Sequence, residues 1–191
     1  EGITGNFGGL HLSGMYSDNM VLQHGEVLTI QGKADAGQKV TVAIAGQKKK
    51  TVAASNGKWR VSLDPLKAGG PYTLTVTADK QKVVYNNVLA GEVWLCSGQS
   101  NMEFYLNWSA TGKRDIPQAA NDQIRLFDMK ARWRTDAVEW DASVLDSLNH
   151  LQYFTDASWN VCTPETADRF SAIAYYFGKK LQDSLQVPIG L

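Results

Sequence analysis

The sequence predicts a mixed fold, with an antiparallel β-sandwich in residues 1–87 followed in residues 88–191 by the first part of an α/β sheet. Apolar and polar residues alternate with a period of two up to about Tyr85, as in half-buried strands. After Gly91 the apolar residues come in short continuous runs, which are typical of parallel strands covered on both faces. One clear helix is too little to cover such a sheet, so we expect the second half to be incomplete.

The strands of the first half are separated by turn signals, of which Asn56-Gly57 is the clearest. It lies between residues 51–54 and 58–63, and both central positions of a two-residue hairpin favour positive φ. We therefore expect these two segments to form a hairpin. Short strands at this spacing indicate a β-sandwich of immunoglobulin-like size. The alternation is clearest in residues 40–44, 59–63 and 73–77.

The second half contains two short apolar runs, residues 93–96 and 124–127. We predict that they form neighbouring parallel strands joined by a right-handed crossover. Residues 187–191 begin a further apolar run. Before it, apolar residues at helical spacing predict an amphipathic helix of roughly four turns that ends near Leu185. These residues are Phe170, Ile173, Ala174, Phe177 and Leu181.

The composition excludes several classes of protein. The 19 basic and 19 acidic residues cancel, so no net charge attracts the chain to nucleic acid or anionic lipid. No apolar run approaches the roughly 20 residues that a membrane-spanning helix needs. The chain begins at Glu1 without a basic and then apolar segment, so we expect any secretion signal to have been removed already. A globular protein without a nucleic-acid partner or a membrane span is predicted.

The two cysteines, Cys96 and Cys162, leave both a disulfide and two free thiols open. We favour free thiols, because Cys96 follows apolar residues and a buried thiol behaves as a small hydrophobe. A zinc site needs more ligands at regular spacing than two cysteines and three scattered histidines provide. No metal or other cofactor is predicted.

Residues 91–102, GEVWLCSGQSNM, join an apolar run to five small or polar residues. Ser100 is a candidate nucleophile between a strand and a helix, where unpaired N–H groups stabilise a developing oxyanion. Gly98 lets the backbone pass close to a substrate. The stretch lacks the second glycine of G-x-S-x-G, which argues against the α/β-hydrolase elbow. The alternative is that Ser100 only caps a helix. By alternation Ser97 faces the other way, and we expect it to be buried or hydrogen-bonded to backbone.

The segment GQSNM at residues 98–102 resembles the first conserved block of the SGNH (GDSL-like) hydrolases, in the form found in sialate O-acetylesterases and related carbohydrate acetylesterases. The resemblance extends over nearly the whole chain. It implies that residues 88–191 are the N-terminal part of a flavodoxin-like α/β/α SGNH hydrolase domain, preceded by the family's β-domain. The other similar segments are DNMVLQ (18–23), VLTIQGKADAGQKVTV (27–42), NGKWRVSLDPLKAGGPYTLTV (56–76), FSAIAYYFGKKL (170–181) and VPIGL (187–191).

The resemblance implies a role for each residue of the motif. Ser100 is the nucleophile, and its backbone N–H is one oxyanion donor. Gly98, Gln99 and Asn101 shape the site around it. The family's other oxyanion donors, a glycine and an asparagine, and its general base, in a C-terminal D-x-x-H, belong to later blocks that this sequence does not contain. We therefore expect the 191 residues alone to be inactive.

None of the three histidines fits that D-x-x-H pattern. His11 and His24 lie in the β-half of the sequence. His150 follows Asp146 as D-S-L-N-H, which has one residue too many and lies in the wrong part of the chain. We expect His150 to be a surface histidine without a catalytic role.

The resemblance implies a secreted or periplasmic serine esterase that removes O-acetyl groups from sialic acids through an acyl-serine intermediate, without a cofactor. Its partners are an O-acetylated glycan and the missing C-terminal part of the hydrolase domain. Three alternatives stay open: an acetylesterase for a plant polysaccharide such as acetylxylan, a non-catalytic glycan-binding module, and an inactive structural fragment. The binding module would use the β-sandwich and the aromatic residues of the long loops. These aromatics either stack on sugars or, as we favour, hold the loops against the core: Trp108, Trp133, Trp140, Tyr153, Phe154 and Trp159.

Overall fold

The computed structural model describes residues 9–133, 139–150 and 152–191. Within these residues the chain forms sheets and helices together, so the predicted mixed fold is confirmed. The strands are β1 (His11–Leu12), β2 (Val21–Gln23), β3 (Leu28–Lys33), β4 (Lys39–Ile44), β5 (Gln47–Val52), β6 (Lys58–Leu63), β7 (Gly69–Ala78), β8 (Gln81–Val93), β9 (Asn121–Phe127), β10 (Trp159–Cys162) and β11 (Ile189–Gly190). The α-helices are α1 (Ser100–Glu103), α2 (Gly112–Asp115), α3 (Ala142–Asn149), α4 (Pro164–Asp168) and α5 (Ala172–Leu185).

Two antiparallel arrangements of strands in the first half share one hydrophobic core. β3 pairs with β1 and β6 in a three-stranded sheet. In the larger sheet β7 pairs with β8 and β4, and β5 pairs with the other edge of β4. Alternate residues of β4, β6 and the second part of β7 are buried, which confirms the predicted alternation. The shared core contains Val40, Val42 and Ile44 of β4 together with Trp59, Val61 and Leu63 of β6.

The hairpin predicted at Asn56-Gly57 is wrong. A tight turn does form there, with a positive φ of 76° at Gly57. The strands on either side enter different sheets, however, because β5 pairs with β4 whereas β6 pairs with β3. β5 has no buried side chain and forms the edge of its sheet, whereas β6 buries every second residue. Between β5 and β6 the chain crosses from the larger sheet to the three-stranded sheet, and this crossing turns the apolar face of β6 toward the shared core.

The second half extends the larger sheet in the order β10-β9-β11-β8, and β2 also pairs with β8. β2, β8, β11 and β9 run parallel to one another, and β10 is antiparallel to β9. The prediction that residues 124–127 lie directly beside residues 93–96 is wrong. β11 lies between them, and its Ile189 pairs with both Ile124 and Glu92.

The residues of β11 explain why this strand takes the central position. Ile189 is completely buried, and a Cβ on Gly190 would stand within 3.0 Å of Val21 and of the Trp159 ring. A strand covered on both faces must be apolar or small. β9 is also buried at residues 124–126, but its Arg125 is a charged side chain that needs acceptors, and it finds them in Asn19 and Asn87 from a position one strand further from β8.

β8 belongs to both halves of the chain. It pairs antiparallel with β7, and toward its carboxyl end it pairs in parallel with β2 and β11. The predicted domain boundary at residue 87 lies inside this strand, and the division into two domains stays a prediction. The prediction of a buried strand at residues 93–96 is wrong, because β8 ends at Val93 and Leu95 is 91% exposed. β2 and β11 stop at Gln23 and Gly190, so neither covers Leu95.

The predicted helix near the end of the chain is confirmed as α5. The Ser171 hydroxyl caps it by accepting a hydrogen bond from Ala174 N, and Gln186 ends it in the left-handed conformation. The buried face differs from the expected one. Ala172, Ala174, Tyr175 and Gly178 are buried, whereas Ile173 and Phe177 are largely exposed. Small residues allow the helix to approach the sheet closely, which leaves the larger apolar residues at its margin.

Arg125 links β9 to the β-half and is only 2% exposed. Its Nη1 donates to the backbone oxygens of Asn19 and Asn87, each at 3.3 Å, and Nη2 donates to Asn87 Oδ1 at 3.3 Å. Its Nε donates to Asp122 O at 3.0 Å. Asn19 lies in a turn and Asn87 lies inside β8, both with positive φ, and the arginine ties these two positions to β9.

We expect Arg125→Met to lower the free energy of unfolding by about 2–3 kcal/mol, because the charge-assisted hydrogen bonds that the buried guanidinium makes to Asn19, Asn87 and Asp122 are then lost. The measurement is urea-induced unfolding of the 191-residue chain. Arg60→Met is the matched control, since Arg60 is an exposed strand arginine and its loss should change stability by less than about 0.5 kcal/mol. Equal unfolding midpoints for the two variants would show that the Arg125 contacts add nothing.

Candidate active site

The motif residues lie just beyond the carboxyl end of β8. Residues 94–99 form no regular structure, and α1 begins at Ser100. Gln99 is the N-cap residue, and its side chain makes no capping hydrogen bond. Ser100 is therefore the first helical residue and not the cap, so the capping interpretation is not supported. Its side chain is exposed and has no hydrogen-bond partner among the described residues.

Gly98 and Gln99 shape the turn into α1. A Cβ on Gly98 would stand 3.2 Å from Met102 Cβ, so a glycine lets the loop pack against the helix. The Gln99 backbone oxygen accepts hydrogen bonds from the N–H groups of Met102 at 2.9 Å and Glu103 at 3.2 Å. The N–H groups of Ser100 and Asn101 make no hydrogen bond within the described part of the chain, and the Asn101 side chain is exposed. Ser100 and the residue after it thus each have a backbone donor without an acceptor in the described part of the chain.

Contacts with the start of α5 hold α1 in place. Ser171 Oγ donates to Met102 Sδ at 3.3 Å, and Ala172 N donates to Phe104 O at 2.9 Å. Tyr105 forms an antiparallel bridge with Ser171. The chain returns from α5 to β11, which runs parallel to β8. The N-terminus of α5 therefore lies at the carboxyl edge of the sheet, together with the motif.

Ser97 does not occupy the environment that alternation predicts. It is exposed, and its side chain has no hydrogen-bond partner among the residues that the structure describes. The prediction of a buried or backbone-bonded Ser97 is wrong, because β8 has already ended at Val93 and alternation no longer applies. Ser97 is nevertheless useful as a second exposed serine of the same loop.

None of the three histidines hydrogen-bonds Ser100. His150 is exposed at the C-terminus of α3, where its Nδ1 lies 2.8 Å from Asp146 O, and its surface position is as expected. His11 is an exposed residue of β1. His24 Nε2 lies 3.0 Å from Glu92 Oε1. The residues described here thus offer Ser100 no histidine base.

Gln23, His24 and Glu92 form a hydrogen-bonded group that was not predicted from the sequence. Gln23 Oε1 accepts a hydrogen bond from Val93 N at 3.0 Å, and Gln23 Nε2 donates to Glu92 Oε1 at 3.5 Å. These contacts fix the last residues of β8 just before the motif loop. Residues 18–23, which resemble the β-domain of the carbohydrate acetylesterases, were the only signal in the sequence that pointed to this region.

Both cysteines are free, as predicted. Burial raises the pKa of both thiols, that of Cys162 to about 11, so Cys162 is a protonated core residue at neutral pH. Its Sγ lies 3.2 Å from Ala119 O. Within the described residues, no three His, Cys, Asp or Glu side chains are grouped so that they could hold a metal ion. No helix in the described part of the chain has the length and apolar character needed to cross a membrane.

Comparison with known proteins places the chain beside carbohydrate esterases. No protein-family model matches it. It is similar to the sialate O-acetylesterases of Rattus norvegicus, with 34% identity over 194 residues and 92% of this chain, and of Homo sapiens, with 30% identity over 200 residues and 96% of this chain. These matches cover 34% and 36% of the relatives, so the chain spans about a third of their length.

A solved structure extends the similarity to the fold. A carbohydrate acetylesterase from Xanthomonas citri matches with a TM-score of 0.82 and 31% sequence identity. The match covers 95% of this chain and 39% of that one. Both halves of the chain and their connection through β8 therefore have a counterpart in one solved protein.

Proposed function

Because this chain belongs to the sialate O-acetylesterase family, we propose that it supplies the nucleophile of a carbohydrate O-acetylesterase. The observation that supports this most is the position of Ser100, which opens α1 after the loop of residues 94–99 beyond β8 and has an exposed hydroxyl without a partner among the described residues. The backbone N–H groups of Ser100 and Asn101, which have no acceptor in the described part of the chain, suit an oxyanion. By the full-length enzyme we mean a polypeptide that continues these residues over the length of the curated relatives.

In the proposed reaction, Ser100 Oγ attacks the carbonyl carbon of a sugar O-acetyl group while a general base accepts its proton. The C–O bond to the sugar then breaks, and the sugar hydroxyl leaves with a proton returned by the base. Water hydrolyses the acetyl-serine, releasing acetate. The backbone N–H of Ser100 stabilises each tetrahedral oxyanion. Gly98, Gln99 and Asn101 shape the loop, and the reaction calls for no metal or cofactor.

The general base of this proposal lies outside the 191 residues, in the rest of a flavodoxin-like α/β/α domain. The exposed apolar residues at the end of β8 and beside it on α5 support such a partner. Each square ångström of apolar surface removed from water contributes about 25 cal/mol, so this surface favours a covering element. A further strand along residues 93–96 would both pair that edge and bury the side chains. They are Val93, Trp94, Leu95, Ile173 and Phe177.

The substrate we propose is an O-acetylated sialic acid, as the names of the mammalian relatives favour. The Xanthomonas neighbour is named only as a carbohydrate acetylesterase, which keeps acetylated plant polysaccharide as the second candidate. The ratio of kcat/KM for an O-acetylated sialic acid to kcat/KM for acetylxylan, measured on the full-length enzyme, decides between the two substrates. A secreted or periplasmic location is part of the same proposal, on the family resemblance.

Covalent trapping tests the nucleophile directly. An alkyl fluorophosphonate reacts with activated serines, and we expect one adduct per full-length enzyme, located on Ser100 by mass spectrometry of the peptides. Ser97→Ala should be labelled as fully as the parent enzyme, and Ser100→Ala should not be labelled. Stoichiometric labelling that persists in Ser100→Ala would assign the nucleophile to another residue.

A further inference from the structure

An aromatic cluster directly follows the proposed nucleophile. It consists of Phe104, Tyr105 and Trp108. The Phe104 and Trp108 rings meet edge to face with centroids 5.8 Å apart, and the Tyr105 and Trp108 centroids are 4.4 Å apart. Trp108 is 60% exposed and Phe104 is 41% exposed. Two large rings are thus presented to solvent next to the motif.

Trp108 is exposed although its neighbours hold the segment firmly against the protein. Leu106, two residues earlier, is completely buried, and its N–H donates to Phe170 O at 2.9 Å. Asn107 Nδ2 donates to Asp168 Oδ2 at 2.8 Å. These residues anchor the segment without help from the indole. Trp159 differs, since it is only 7% exposed and does pack in the core.

The cluster lies within reach of a substrate held at Ser100. Phe104 follows Ser100 by four residues across α1, which corresponds to about 6 Å along a helix axis. The Trp108 ring lies a further 5.8 Å away, centroid to centroid, from the ring of Phe104. One sugar ring together with its ester group is long enough to extend from Ser100 to the aromatic cluster.

Polar and charged groups border the cluster. Lys130 Nζ lies 4.8 Å from the centroid of the Tyr105 ring, and it pairs with Asp128 Oδ2 at 3.1 Å. Both side chains remain partly exposed. Ligand sites combine apolar and aromatic side chains with a small number of polar groups, and the cluster with its margin has this combination. A sugar ring offers matching surfaces, with C–H groups on its face and hydroxyls at its edge.

We propose that Trp108, with Phe104 at its edge, is the platform on which the pyranose ring of the acetylated glycan stacks while its acetyl group reaches Ser100. This inference rests on the proposed function, because it names the sugar subsite of the same reaction. The aromatic face supplies contact area and orientation, and hydroxyl groups of the sugar meet Lys130 and Asp128. The interpretation of Trp108 as a residue that only holds its loop to the core is replaced by a binding role.

The binding test uses the 191-residue chain labelled with 5-fluorotryptophan and titrated with the methyl glycoside of N-acetylneuraminic acid. We expect the Trp108 fluorine resonance, assigned with Trp108→Phe, to shift on titration. Trp108→Ala should weaken binding at least tenfold, and Trp108→Phe should retain most of it. Phe154→Ala is the matched control, because Phe154 is 44% exposed and lies outside the cluster, and it should bind as the parent chain does. Unchanged binding in Trp108→Ala would overturn the proposal.

Kinetics of the full-length enzyme separate binding from folding. Trp108→Ala should raise KM for an O-acetylated sialoside at least tenfold more than KM for an aryl acetate, which has no sugar ring. An equal rise in KM for both substrates would overturn the proposal. Protection of Trp108 from a soluble paramagnetic quencher in the sugar-free full-length enzyme would also overturn it, because protein would then cover the cluster.

The proposed function can be contradicted independently of the sugar subsite. Ser100→Ala should abolish acetyl release and leave glycoside binding unchanged, which supports both conclusions. Normal acetyl release by Ser100→Ala, with glycoside binding still lost in Trp108→Ala, would remove Ser100 from the mechanism and leave the sugar subsite in place.

Discussion

Ser100→Ala in the full-length enzyme is expected to lower kcat for acetyl release by several orders of magnitude without destabilising the protein. In subtilisin, loss of the triad nucleophile costs about a millionfold in kcat, which corresponds to about 8 kcal/mol of activation free energy. The Ser100 side chain is exposed and makes no hydrogen bond with the described residues, so its removal should change stability by less than about 0.5 kcal/mol. The measurement is kcat together with the melting temperature of the same preparation.

Ser97→Ala is the control for this prediction. Ser97 is an exposed serine of the same loop, and its loss should leave both kcat and the melting temperature close to those of the parent enzyme. A Ser100→Ala variant that melts early but still turns over would contradict the nucleophile assignment. Such a result would give Ser100 a structural role in α1.

The 191-residue chain alone is expected to release acetate from an aryl acetate at least about a thousandfold more slowly than the full-length enzyme, because a serine without its base keeps only residual activity. His11, His24 and His150 are all described, and none of them hydrogen-bonds Ser100. The measurement is kcat/KM for both proteins at equal molar concentration. Circular dichroism of the short chain shows whether it is folded in the assay.

Two histidine variants of the short chain complete this experiment. His150→Ala should have no effect, since His150 is an exposed residue at the end of α3. His24→Ala should also leave the low rate unchanged, because the His24 ring lies beside Glu92. Rapid turnover that either variant abolishes would identify that histidine as the base and contradict the prediction that the base lies elsewhere.

The exposure of Trp108, on which the proposed sugar subsite depends, could not be predicted from the sequence. The motif stretch was enough to place Ser100 between a strand and a helix, although the strand ends at Val93 and not at Cys96. Whether a tryptophan in a loop faces solvent depends on which neighbour fills the core beneath it. Leu106 does so beside Trp108, whereas at Trp159 the indole itself is buried.

The sequence by itself determined the elements whose burial repeats with a local period. The alternation in β4 and β6 records which side chains face the core, whereas the helical spacing in α5 predicted the helix but not its buried face. The motif residues themselves form the turn into α1, but contacts of Met102 and Phe104 with the start of α5 hold that short helix in place.

Only the tertiary structure decided which of these elements are neighbours. β11 lies between β8 and β9, where Ile189 and Gly190 can be covered on both faces of the sheet. β5 and β6 enter different sheets because only β6 has an apolar face to bury. The Arg125 contacts join residues up to 106 positions apart in the sequence. A periodic pattern specifies a buried face but not the partner that covers it, since the partner is selected by packing across the whole chain.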